Sequence, residues 1–294
     1  MKAHPIVILL SMLACLAFPL YAKPAPAEML LKGRKVPETG YVTKAEAGKV
    51  FFSASPTGKN ERGYPVKTIV RLTFKEPEGW ADAETARLNK KFAEAEKLYN
   101  TIAIDYRKIA SLEDNYSSLA RLRQLECLRD SGEYSKLAKI IPNLKKSGLS
   151  EKYHAQVDLF VGWAGLADLS TDAKIDSLER MINGFREIEM LPGQLAQAFY
   201  ISAVANEKKG NAGRALTDYH RAFTLDFGED RDMARKAMDS ALRLYAAEDR
   251  LHKDRQRLEE AHALAATYKK VFGDDVPSEA AQFAKPLPPL EDEG

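Results

Sequence analysis

The sequence predicts a mostly α-helical protein, in which a solenoid of about four helix pairs follows a small N-terminal antiparallel β unit. From Trp80 to about residue 272, apolar residues recur at spacings of three and four, the period of an amphipathic helix. The predicted helices form pairs that repeat about every 35–45 residues, a spacing typical of helical-repeat proteins. With 45% hydrophobic and 29% charged residues, the chain can build a packed core.

The first 22 residues predict a secretory signal peptide. Lys2 is the only charged side chain, the apolar run 6–18 follows it, and Pro19 precedes a small-residue exit that ends at Ala22. The run is too short for a comfortable membrane span, and no later segment approaches that length. We therefore expect an exported chain, periplasmic or secreted, without a membrane span.

The two cysteines bear on this expectation. Residues 12–15 loosely resemble the lipobox of bacterial lipoproteins, in which Cys15 would carry a lipid, so an outer-membrane lipoprotein is the alternative to ordinary cleavage. Cys127 lies on a helical apolar face and is expected to be a small buried hydrophobic residue. Since a lone cysteine cannot form an internal disulfide, the mature chain has no disulfide framework, which fits a bacterial envelope.

The N-terminal region divides into a linker and a β unit. Residues 23–37 are rich in Lys, Pro and Ala and are expected to be a linker. The β unit is expected over 38–78, with one strand at 48–54. A second strand is predicted over 66–74, where apolar and polar residues alternate and one face would be buried.

A long polar loop, 55–65, separates these two strands. Long loops on a scaffold often carry function, and Arg62 and Tyr64 are residue types that dominate many interfaces. We treat both as candidate binding residues, and a solvated hairpin connection is the alternative interpretation.

The helical domain is expected over 80–272. Its first helix is predicted over about 81–108, and turn residues then separate successive helix pairs. The tail, 273–294, is rich in Pro and acidic residues and is expected to be disordered, because Pro cannot continue a helix and the charges favour solvent.

One segment, 196–229, shows the pattern of a paired-helix unit most clearly. Small residues stand where two antiparallel helices must touch: Ala203 in the first, Ala215 and Ala222 in the second. Gly210 falls in the turn, and Tyr219 fills the gap that the small residues leave. The segment resembles a tetratricopeptide repeat, and its neighbours resemble that family only loosely. A generic helical bundle remains the alternative.

The resemblance implies a function. Tetratricopeptide-like proteins usually bind another protein or a peptide in the concave groove lined by the first helix of each pair. Carried over to 196–229, this implies the binding residues Gln197, Tyr200, Val204, Glu207 and Lys208. An ordinary solvated helix face is the other interpretation of these residues.

Composition and motifs argue against several function classes. The formal net charge is only +2, from 44 basic and 42 acidic residues, so we expect no nucleic-acid partner. Paired CxxC, HExxH, GxxxxGK[ST], GxSxG and GxGxxG motifs do not occur. We therefore expect no catalytic activity and no cofactor.

One spacing favours a metal site. Glu151 and His154 form an E-x-x-H pair, as do Glu259 and His262. Two such pairs, with glutamates from two further helices, hold two metal ions in ferritin-like proteins. Chance in a Glu-rich helical chain is the simpler explanation. Three hypotheses thus remain: a groove-binding scaffold, a lipid-anchored subunit of an envelope assembly complex, and a metal-dependent enzyme.

Overall fold

The N-terminal unit is a five-stranded antiparallel sheet. The computed structural model describes residues 22–186, 190–226, 230–247, 254–273 and 275–287. The strand order is β4-β3-β2-β1-β5, and every neighbouring pair is antiparallel. The strands are β1 (Ala25–Leu31), β2 (Glu38–Glu46), β3 (Lys49–Ser53), β4 (Arg62–Pro65) and β5 (Ile69–Phe74).

The sheet curls on itself. β4 and β5 lie at opposite ends of the strand order, yet only the 3-10 helix Val66–Thr68 joins them. Three residues cannot cross a flat five-stranded sheet, since adjacent strands lie about 4.8 Å apart. The two edges must therefore approach each other, as in a partly closed barrel. The amide of Lys32 donates to the carbonyl oxygen of Thr68 at 2.9 Å and holds the β1–β2 turn against this connection.

Residues 23–37, which the sequence predicts to be a linker, contain the strand β1. β1 lies within 23–37 and pairs with both β2 and β5, so it is an interior strand of the sheet. Ala25, Ala27 and Met29 are buried and alternate with residues of the outer face. The alternation was concealed because two of its inward residues are alanines, which are common in linkers.

The strand predicted over 66–74 is shorter in the structure, where β5 begins at Ile69. Residues 66–68 form the 3-10 helix, and the register between β1 and β5 shifts where Leu30 faces Arg71 and Leu31 faces Ile69. The shift skips Val70, which is exposed, while Leu72 and Phe74 pack on the core. An extra residue of this kind is a β-bulge, and it reverses the inward and outward positions along a strand.

The rest of the described chain is helical. Lys90 has a φ of 59° and ends the single helix expected over 81–108, which is two helices here. Gly132 and Gly210 take φ values of 75° and 78° in later turns. The helices are α1 (Trp80–Leu88), α2 (Phe92–Asp105), α3 (Tyr116–Asp130), α4 (Tyr134–Ile140), α5 (His154–Gly165), α6 (Asp172–Arg186), α7 (Pro192–Lys208), α8 (Ala212–Asp226), α9 (Arg231–Ala247) and α10 (Arg255–Phe272).

Two hydrophobic cores share α3. Ala120 and Cys127 belong to the core between the sheet, α1 and α2. Leu122, Leu125 and Leu128 belong to the larger core of the following helices. The sheet therefore packs on the first helices, as the sequence predicts, and α3 joins it to the rest of the body.

The tail is not disordered throughout. Residues 278–284 form a 3-10 helix that contacts α9 and α10. Val276, Ala280 and Phe283 are buried in the larger core. The expectation of disorder is therefore wrong for 275–287, because three apolar residues anchor this segment in spite of its prolines. Residues 274 and 288–294 of the tail, and residues 1–21 of the predicted signal peptide with Cys15, lie outside the described residues.

Consecutive helices pack against each other along the body from α1 to α9. Contacts also join α3 to α5, α5 to α7 and α7 to α9, so alternate helices form a continuous layer. Among the described helices, none combines the length and the hydropathy needed to cross a bilayer.

Candidate functional site

The candidate site is a cleft at which three distant parts of the chain meet. The α1–α2 turn, the end of α3 and the first half of α9 surround a volume of about 440 Å³. The lining is mostly charged and mixes basic and acidic side chains. These include Arg87, Lys90, Arg129, Asp130, Asp232 and Lys236. We refer to this space as the α3–α9 cleft.

One ion pair spans the mouth of the α3–α9 cleft. Lys90, in the α1–α2 turn, lies with its Nζ 2.6 Å from Oδ1 of Asp232 in α9. Both side chains are exposed, so water screens the pair. The contact joins the α1–α2 turn to α9 across the mouth of the cleft.

A glutamine lies beneath the cleft and organises its polar floor. Oε1 of Gln197 in α7 accepts hydrogen bonds from Arg129 Nη1 at 3.2 Å and from Trp163 Nε1 at 3.0 Å. The amides of Gln197 and Gln156 also exchange two bonds, at 3.0 and 3.1 Å. Buried polar groups need such partners, and this network satisfies groups from α3, α5 and α7 together.

Arg129 carries a buried charge at this floor. The residue is only 8% exposed, and its Nε donates to Asp130 Oδ1 at 2.7 Å. Burial opposes the charge, but the neighbouring carboxylate of Asp130 outweighs it and keeps the pKa of Arg129 above its ordinary value. Arg129 therefore stays protonated beside the cleft.

An aromatic row lies against a second cation, the half-buried Lys236. The rings of Tyr134, Trp163 and Tyr200 follow one another at centroid distances of 5.7 and 5.4 Å. Lys236 Nζ lies 5.2–5.6 Å from all three centroids and donates to the Tyr134 hydroxyl at 3.0 Å. Ring faces attract a cation at these distances.

The environment of Lys236 also disfavours its charge. Burial lowers the pKa of Lys236 to about 8; Asp130 opposes this shift and Arg129 adds to it. Titratable groups with perturbed pKa values cluster at functional sites, and here the perturbed group lines a cleft. The arrangement can present an amine whose charge changes near neutral pH.

The predicted groove residues divide into two groups. Gln197 and Tyr200 are buried under the cleft, where they contact Arg129 and Lys236. The other three lie further along α7 and do not line the cleft: Val204 is half-buried, Glu207 and Lys208 are exposed. Glu207 accepts a 2.6 Å hydrogen bond from the hydroxyl of Tyr219.

Arg62 and Tyr64 lie far from these residues in the fold. The last four residues of the expected loop 55–65 form β4. This strand pairs with β3 and is the first in the strand order, so Arg62 and Tyr64 belong to an edge strand. Arg62 is exposed, and Tyr64 packs against the N-terminal core.

The residues predicted to pack the repeat are placed between helices. Ala203, Ala215, Ala222 and Tyr219 are at most 1% exposed, and α7 packs closely on α8. Gly210 occupies the turn with a positive φ, a conformation that a side chain would strain.

The two E-x-x-H pairs make other contacts. His154 Nε2 lies 3.1 Å from the carbonyl oxygens of Lys146 and Leu149, and His262 Nδ1 lies 3.0 Å from that of Lys285. Within the described ranges, no three His, Cys, Asp or Glu side chains are grouped as metal ligands. The structure does not bring these pairs together as the di-metal hypothesis requires.

Sequence reasoning missed Arg129, Lys236 and the Lys90–Asp232 pair. Arg129 and Lys236 each adjoin an apolar helical stripe: Leu125 and Leu128 precede Arg129, and Met233 and Ala237 flank Lys236. A basic residue next to the apolar stripe of a helix can indicate a cation that lies against the core. The meeting of α3 with α9 has no counterpart in the local sequence pattern.

A scan against models of known protein families finds no match, and a search of curated proteins finds none either.

Proposed function

We propose that the chain is a non-catalytic scaffold that binds a peptide or a segment of another protein, and that the α3–α9 cleft is its binding site. On this proposal the helical body is a tetratricopeptide-like solenoid, and the cleft belongs to its concave face. The proposed setting is the bacterial periplasm or cell envelope, which rests on the predicted signal peptide.

The layer of alternate helices supports the solenoid. In stacked helix pairs, the first helix of each pair contacts the first helix of the next. Contacts of α3 with α5, of α5 with α7 and of α7 with α9 have this pattern. The close α7–α8 pair, with its buried alanines, fits one complete unit of the stack.

The observation that carries the site is a pair of cations at its floor, of which Arg129 is buried and Lys236 is half-buried. Removing a charge from water costs free energy unless partners compensate, and packing alone does not need such groups. Arg129 and Lys236 reach the cleft from helices that are far apart in sequence. Trp163 connects their surroundings: its ring faces Lys236, and its Nε1 donates to the Gln197 oxygen that also accepts from Arg129. Preorganised polar groups at the base of a concave site are typical of ligand recognition.

Photo-crosslinking tests this proposal. Leu88 lines the cleft with 72% of its surface exposed, and Leu191, at 63%, does not line it. Each would be replaced in turn by benzoylphenylalanine in cells that make the native protein. We expect a discrete crosslinked partner from position 88 and none from position 191.

A second variant connects the crosslink to the cleft floor. Lys236→Met keeps an apolar stem over the aromatic row and removes the amine, so the crosslink from position 88 should weaken. A crosslink of equal yield from both positions, or from neither, would contradict the cleft as the binding site.

A further inference from the structure

The end of the sheet carries five basic side chains that have no acidic partner. Lys32, Arg34 and Lys35 lie on the β1–β2 turn, and Lys67 and Arg71 lie on the segment that leads into β5. All five are exposed. Among the described residues, no carboxylate lies within 4.0 Å of any of the five; the nearby Glu28 pairs with Lys75 at 3.5 Å.

Exposed valines stand among these cations. Val36 on the turn is 74% exposed, Val66 is 49% exposed and Val70, at the bulge, is 60% exposed. Elsewhere in the described chain, the exposed large apolar side chains stand singly: Leu88 in α1, Val161 in α5 and Leu191 just before α7. Three valines in two adjoining segments therefore form a local concentration.

The two segments lie side by side. The Lys32 amide donates to the Thr68 carbonyl oxygen, and Leu30 and Leu31 pair with Arg71 and Ile69. The basic side chains and the valines consequently occupy one end of the sheet, where the β1–β2 turn adjoins the start of β5. We call this surface, formed by 32–36 and 66–71, the basic valine patch.

We propose that the basic valine patch binds the surface of an anionic lipid membrane. Lysine and arginine near an anionic bilayer each contribute about 1 kcal/mol of attraction, and apolar side chains gain by entering the interface. A chain with a net charge of only +2 has five unpaired cations here, so the field at this end is far more positive than the average. The proposal is independent of the α3–α9 cleft.

The composition of the patch favours lipid over nucleic acid. Proteins that bind single strands stack bases on aromatic rings, and neither segment of the patch contains an aromatic residue. The three exposed valines among these cations can instead enter the headgroup region while the cations meet phosphate groups at the surface.

Vesicle sedimentation tests the inference with the predicted mature chain from residue 23, so that the apolar run 6–18 cannot insert by itself. Vesicles would contain phosphatidylglycerol mixed with phosphatidylcholine, or phosphatidylcholine alone. We expect binding to the anionic vesicles only, and weaker binding at high salt because salt screens exposed charges.

Two triple variants locate the surface. Lys32→Gln, Lys35→Gln and Lys67→Gln together should reduce the partition coefficient roughly tenfold or more. The matched control removes three exposed lysines of the helical body, Lys97, Lys139 and Lys270, by the same change and should bind like the wild type. Circular dichroism melts would confirm that both variants fold.

The valines have their own variant and control. Val36→Ser, Val66→Ser and Val70→Ser together should weaken binding while the salt dependence stays. Val161→Ser with Leu191→Ser, which changes exposed apolar residues of α5 and of the loop before α7, should have no effect. Equal losses in patch and control variants, or no vesicle binding at all, would overturn the inference, as would binding to oligonucleotides but not to vesicles.

Discussion

Lys90 and Asp232 are 142 positions apart in the sequence, and their side chains are joined at 2.6 Å. The contact connects the turn between the first two helices to α9, near the far end of the body. A stack of helix pairs that were straight would keep these elements apart. The body therefore curves enough for its early and late helices to enclose the α3–α9 cleft.

A double-mutant cycle measures this contact. Lys90→Gln and Asp232→Asn should each lower the free energy of unfolding slightly, with a coupling of at most about 1 kcal/mol, because both groups are exposed. Chemical denaturation at low and high salt would show the coupling fall as salt rises. The pair Lys97→Gln and Asp232→Asn is the control and should show no coupling; equal coupling in both cycles would exclude a specific contact.

The sequence predicts the paired helices around 196–229 well. Gly210 and the buried alanines are local signals, and α7 and α8 lie where these signals place them. β1 was missed because its inward alanines also suit a linker. The cleft could not be predicted, since it depends on contacts between helices far apart in the sequence, which bring Arg129 and Lys236 to the lining of one cleft.

Enlarging Ala215 should separate α7 from α8. The residue is completely buried, so Ala215→Leu adds three carbons to a packed interface and should cost about 1–3 kcal/mol of unfolding free energy. Thermal and urea melts would measure the loss. Arg214→Leu places the same side chain on the exposed neighbour and should change stability little. If the two variants were equally stable, Ala215 would not lie in a packed interface between α7 and α8.

The tail should contribute to stability. Phe283 is 3% exposed and packs near Tyr245 and His262. Phe283→Ala should lower the free energy of unfolding by about 3–5 kcal/mol, the usual cost of truncating a buried phenylalanine. Gln282→Ala, at the exposed neighbouring position, is the control. A tail that does not dock would give the same urea midpoint for both variants.

Cys127 should resist thiol reagents in the folded protein. Burial, and then the charges of Glu126 and Asp130, raise the pKa of the Cys127 thiol to about 12. At pH 8 very little thiolate forms, and the buried sulfur is also inaccessible. In the predicted mature chain from residue 23, which lacks Cys15, the reaction with Ellman's reagent should be slow without denaturant and complete within minutes in denaturant. A Leu191→Cys variant in a Cys127→Ala background provides an exposed thiol for comparison, and rates similar to this control would contradict the buried position.

Lys236 should make stability depend on alkaline pH. Its pKa is lowered by burial from 10.5 to about 8, so between these values the unfolded chain binds more protons than the folded one. The free energy of unfolding should therefore rise with pH from about 8 to 10.5 at this site. Lys236→Met removes that rise, and Lys139→Met, on the exposed face of α4, should keep it. Carbon-13 NMR of the lysine side chains gives the pKa directly. The aromatic row attracts the ammonium form, so a measured pKa above 10.5 would mean that Tyr134, Trp163 and Tyr200 outweigh desolvation, and the amine would then act in the cleft as a fixed cation.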